Sequence, residues 1–184
     1  MNDAKSPNAA LPNDRVLAWV RDVLATTAPR WLNLTEALPE ALLRRPAAPG
    51  EWSAAQCLEH LLATERQVFP PRVRVFLRGG DIVPFDPDQE APPRPVMSPV
   101  QMAGEFARLR AASLELLAGL EPSDLARTAH HGEYGTVTLA EQLNEWAAHD
   151  LMHTVQAERA LMQPFLPGTG PWRPSFSDHD VTRG

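Results

Sequence analysis

Apolar residues fall along this chain in a helical rhythm. In "DRVLAWVRDVLATTAPRWLNLTEAL" they recur at Leu17, Val20 and Leu24, then at Trp31, Leu34 and Leu38, the three-and-four spacing that lines one face of a helix. A second run, "AAQCLEHLLATERQVF", carries Cys57, Leu58, Leu61, Leu62, Val68 and Phe69 on one stripe. A third passes through Met102, Phe106, Leu109, Leu116 and Leu117 to Leu120, and a fourth through Leu139, Leu143, Trp146, Ala157 and Leu161. No stretch sustains a period-two alternation rich in Val, Ile and Tyr, and no repeat of fixed period occurs. The pattern predicts an all-α protein.

The ends of these runs are marked. Ser53 has Gln56 three residues on, Ser98 has Pro99 and then Gln101, and Thr138 has Glu141, so three helices are predicted to start at capping boxes. Pro29 is expected to kink the first helix or split it in two. Gly79 and Gly80 close the second, and the third runs on to Leu120 with Gly119 inside it. The expected product is a four-helix bundle over residues 14–165, between an N-terminal arm (1–13) and a proline-rich C-terminal tail (166–184). The link over residues 79–97 is long and proline-rich, which predicts a crossover between helices two and three rather than a tight turn.

Composition narrows the class. The chain has 184 residues, 43% of them hydrophobic, enough for one domain with a sizeable core. Its net charge is −6, and its 17 Lys and Arg are scattered, so no basic patch suited to nucleic acid is present. The opening "MNDAKSPNAALPND" lacks the apolar run of a signal peptide, no stretch has the length to span a bilayer, and a cytoplasmic location is expected. A single cysteine, Cys57, excludes an internal disulfide and fits a reducing compartment.

The chemistry concentrates in "HDLMH". At 100° per residue His153 lies within about 80° of each member of the fourth helix's apolar stripe, His149 about 40° further round, and Asp150 also turns inward. Ionisable groups on a core-facing side are costly unless satisfied. A metal ion would satisfy both imidazoles, and i,i+4 spacing suits two adjacent ligands; two separate hydrogen-bonded core histidines are the alternative. His60 stands at the edge of the second helix's stripe and is the natural third ligand. His130, His131 and His179 fall in loop or tail sequence and read as solvated.

"PAAPGEWSAAQCLEHLLATE", followed after the crossover by "YGTVTLAEQLNEWAAHDLMHTVQ", resembles the DinB/YfiT-like superfamily of metalloenzymes over roughly residues 27–165. The resemblance rests on the Trp-Ser start of helix two, its His seven residues later, and His-Asp-x-x-His-x-x-Gln on helix four. It implies a bundle of up-down-down-up order and frequent homodimerisation, which would also bury Trp19 and Trp31. It further implies a divalent metal, zinc or nickel and sometimes iron or manganese, on three histidines that map to His60, His149 and His153. Relatives include thiol S-transferases and a thiol-dependent isomerase acting with bacillithiol, mycothiol or glutathione.

The neighbouring residues have alternative roles. Glu65, inside an apolar stripe, needs a buried Arg or a ligand's second nitrogen, and structural pairing is preferred. Asp150 can orient a ligand imidazole or pair with an Arg. Glu145, one turn before His149, can be a fourth ligand, a general base or a solvated edge. Cys57 reads as core filler, Trp52 and Trp146 as core, and Asp86 and Asp88 as solvated crossover residues able to meet a positive group on a thiol. Two functions follow: a metalloenzyme that activates a small thiol, or a non-catalytic, stress-associated metal-binding protein.

Overall fold

The computed structural model describes residues 11–83 and 96–181. The predicted first helix is α1 (Asn13–Ala37), followed by the single turn α2 (Glu40–Leu43). The second is two helices, α3 (Ala54–Gln67) and α4 (Phe69–Arg78); the third is α5 (Pro99–Ala118) and the fourth α6 (Leu139–Met162). α1 packs on α5 and α6, and α3 packs on the same two, so the four long helices close a ring around one core. The helical bundle expected from the apolar rhythm is the fold.

Where the pattern and the structure agree, the side chains show why. Ser53, Ser98 and Thr138 each accept the backbone N–H of the residue three on, while Gln56, Gln101 and Glu141 reach back to the capping residue's own N–H.

The departures have local causes. α1 runs unbroken through Pro29, which gives up one backbone hydrogen bond while Leu24, Thr27, Ala28 and Trp31 bury the surrounding turns. Trp31 is therefore core and offers nothing to a partner, whereas Trp19 stays 46% exposed. Predicted helix two breaks at Val68 (φ −113°, ψ −75°), because Pro70 and Pro71 lack the N–H groups that would continue the ladder; both instead sit in the first turn of α4, which opens at Phe69. α5 stops one residue short of Gly119, whose N–H bonds to the Leu116 carbonyl while the Leu120 N–H bonds to that of Leu117.

A small three-stranded sheet accompanies the helices. β1 (Asp81–Ile82) pairs parallel with β2 (Thr128–His131), which pairs antiparallel with β3 (Gly135–Thr138). Strands of two and four residues are too short to show an alternation in sequence. Gly135 sits at φ +74°, where a side chain would be strained, and this lets the chain reverse between His131 and Gly135. His130 and His131 thus lie on a strand, not in a loop, and β1 turns the start of the crossover back onto the bundle. Asp86 and Asp88 lie outside the described residues.

The core has two apolar halves. One gathers Val16, Leu24, Phe69, Val73, Phe76, Leu143 and Trp146; the other gathers Trp31, Leu58, Leu61, Met102 and Phe106. Between them lies a polar layer centred on Arg110, which stacks over Phe106 of one half and Trp146 of the other. Among the described residues no helix is long and apolar enough to cross a membrane.

Candidate metal centre

α3 and α6 bring His60, His149 and His153 together. One nitrogen from each lies within 4.8 Å of the others, and His60 Nε2 stands 3.0 Å from His149 Nε2. Two metal bonds of about 2.1 Å meeting at a right angle separate their nitrogens by about 3.0 Å, so this spacing fits a shared divalent ion.

Each ring is positioned by neighbours. Gln156 Oε1 lies 2.8 Å from His153 Nδ1, which places the proton on Nδ1 and leaves Nε2 as the lone pair facing the cluster. Trp52 stacks on His153 (5.6 Å between centroids, 16° between planes) and tilts against His60. Phe69 meets His149 edge to face at 5.1 Å. His149 Nδ1 is buried and has no hydrogen-bond partner among the described residues.

All three imidazoles are held neutral. Burial lowers the His149 pKa to about 3, helped by His153, His60 and Arg110. Burial also lowers His60, with His153 adding to it, and lowers His153 despite opposing contributions from Gln156 and Asp150. A neutral imidazole presents one lone pair and one N–H, so His60 and His149 can share one hydrogen bond while the three rings still turn nitrogen atoms toward a common centre. Three convergent neutral nitrogens are a donor set for a divalent cation.

The acidic residues divide differently. Arg110 grips Glu65 with Nε and Nη2 (3.0 and 2.8 Å), and its Nη1 donates to Asp150 Oδ2 (2.7 Å), Thr27 Oγ1 (2.8 Å) and the Leu24 carbonyl (3.0 Å). Thr27 in turn donates to Asp150 Oδ2 at 2.9 Å. Both carboxylates are thus committed to the guanidinium. Glu145 is mostly exposed, accepts the Gln142 amide at 2.6 Å, and lies in a cavity of about 240 Å³ beside His60 and His149. Cys57 is fully buried, outside the convergent group, and burial pushes its thiol up to about 11.

Some participants escaped the sequence reading. Trp52 is a wall of the site, not core; its position just before the Ser53 cap, one helix start from His60, carried that signal. Trp146 is core, stacked on Phe69. Gln156 closes the His-x-x-x-His-x-x-Gln motif, and its role lies in a contact with His153 that the motif alone does not specify. Arg110 continues the line Phe106, Arg110, Ser113, Leu117 that α5 buries, and a charge on that line was the available clue. His131 is buried and lines the same cavity as His60 and His149, placed there by a strand pairing that local sequence does not show.

No curated protein sequence matches this chain. Among solved structures, it is similar to YfiT from Bacillus subtilis, a probable metal-dependent hydrolase with an unusual four-helix bundle topology. The two share 18% identity over 90% of this chain and 95% of that one, with a TM-score of 0.67, a likeness of fold. A sequence profile of the DinB superfamily matches residues 23–157, through both histidine-bearing helices, and the chain belongs to that superfamily.

Proposed function

We propose that His60, His149 and His153 hold one divalent metal ion, zinc or nickel before iron or manganese, and that the protein is an enzyme acting through it on a small thiol. The convergence of three neutral imidazole nitrogens within 4.8 Å carries this reading. Structural zinc sites close with four protein ligands, whereas among the described residues this group has three, the pattern of a site with room for a reactant. An ion held there supplies Lewis acidity that lowers the pKa of a thiol from about 8.5 toward neutrality.

The remaining work falls to the chain. Gln156 fixes the His153 tautomer, while Trp52 and Phe69 hold the rings and exclude water from their outer faces. Glu145 shares the cavity with His60 and His149 and is the carboxylate available to take the released proton. The same carboxylate favours a second reading, in which water replaces the thiol and the reaction is a hydrolysis. The homodimer implied by the resemblance belongs with the proposal, using Trp19, and a monomeric mass by light scattering would end it.

The test is a screen of metal-loaded protein with glutathione, mycothiol, bacillithiol or coenzyme A and an electrophilic acceptor. Metal-dependent consumption that is lost in His153→Ala and with a chelator is expected. Turnover of an ester without thiol selects hydrolysis. Failure to accelerate any of these leaves the non-catalytic metal-binding role.

A further inference from the structure

Arg72 differs from the other well-buried arginine in how little it is used. Arg110 spends its donors on five acceptors. The Arg72 side chain is only 12% exposed, yet its sole ion pair among the described residues is with Glu145 at 4.0 Å. That Glu145 side chain is 54% exposed, and its Oε2 already accepts the Gln142 amide at 2.6 Å. A guanidinium on a mostly buried side chain whose one ion pair is this long has N–H groups available to a ligand.

His131 supplies a second donor at the same place. Its Nδ1 accepts the Glu133 backbone N–H at 3.2 Å, so the neutral ring keeps its proton on Nε2. Tyr134 lies against the ring at 4.8 Å, and the backbone of His131 is pinned by pairing with Ile82 and Gly135. His131 falls outside the convergent histidine group, so it lines the cavity without belonging to the triad. Arg72, His131, His60 and His149 therefore line one cavity of about 240 Å³, a size for a small molecule rather than a polymer.

We infer that Arg72 and His131 form a carboxylate-binding site that holds a small acidic substrate with its reacting end toward His60 and His149. A guanidinium fork matches the two oxygens of a carboxylate, and the imidazole N–H adds a third, differently directed donor. Glu145 competes for Arg72 and gives way when the ligand enters. The orientation of the reacting end rests on the metal reading given above; the grip on the carboxylate does not.

Titration calorimetry of the full chain with malonate, in metal-loaded and metal-free forms, tests this. Wild type should bind malonate, and Arg72→Gln should weaken binding by about tenfold or more, the loss expected for a charge-assisted bidentate contact. Arg72→Lys, which keeps the charge without the fork, should fall between them. His131→Phe should weaken binding less than Arg72→Gln, and Glu145→Gln should tighten it by removing the competitor. Metal content by elemental analysis should be the same in all variants. Arg72-dependent binding to a protein that takes up no metal would uphold the carboxylate site while ending the metal reading. No binding to wild type, equal affinity in Arg72→Gln, or binding that follows the metal and ignores Arg72 would each overturn the inference.

Discussion

Two polar clusters sit inside this bundle, and α3 and α6 contribute to both. α3 supplies Glu65 to one and His60 to the other; α6 supplies Asp150 to one and His149 and His153 to the other. In the first, a cation meets two anions and a hydroxyl, all with side chains about 1% exposed, and each finds an opposite partner. In the second, three like groups converge, burial keeps them neutral, and the Nε2 atoms of His60 and His149 stand 3.0 Å apart. The first cluster is complete as it stands and holds α1, α3, α5 and α6 in register. The second leaves His149 Nδ1 buried and without a hydrogen-bond partner among the described residues. Burial of polar groups does not by itself mark a site; what marks this one is the convergence of three nitrogen ligands with a buried ring atom left unpartnered among the described residues.

The comparison can be broken first at its closed half. Arg110→Ala leaves two buried carboxylates unpaired and should lower stability by about 3–5 kcal/mol in urea denaturation. Replacing Arg110, Glu65 and Asp150 together by apolar residues of similar volume should restore most of that loss. If the single variant is as stable as wild type, the polar layer is not holding the helices.

The open half should respond to acid. The unfolded chain binds protons on its histidines below the ordinary pKa of about 6.5, whereas the folded metal-free chain leaves His149 neutral down to about 3. The unfolded state therefore gains the protons, and the urea midpoint of metal-free protein should fall as pH drops from 6.5 toward 5, above the carboxylate range. His149→Phe should remove much of that slope, and an unchanged slope would mean the imidazole is not buried neutral. A smaller effect concerns the helix that carries His60: Ser53→Ala should cost about 1 kcal/mol through loss of the cap. Smallest of all, Cys57 should resist alkylation at pH 8 in the native state, since burial holds its thiol near 11.

The helices and the triad were legible because their signals are local. Capping boxes span four residues, the apolar stripes repeat every turn, and i,i+4 places His149 and His153 on one face of α6 whatever surrounds it. His60 was reachable as a helix-face histidine on a stripe. What could not be read depends on pairing between distant segments. The strand that carries His131 to the cavity exists through its register with Ile82 and Gly135. Arg110 as the partner of Glu65 is a contact across 45 residues. The break at Val68 was in the letters, since Pro70 and Pro71 follow it, but the apolar rhythm continued across them. Trp31 is core because α1 is covered by both α5 and α6, a packing that its own stripe does not encode.

The central claim is that three imidazoles form one open metal site in a bundle that folds without them. Elemental analysis of purified wild type and of His60→Ala, His149→Ala and His153→Ala, each paired with a urea melt of the metal-free form, tests it most directly. The account predicts close to one divalent ion per chain in wild type, little in any variant, and metal-free melts that stay cooperative in all four. Full metal occupancy in His60→Ala would contradict it.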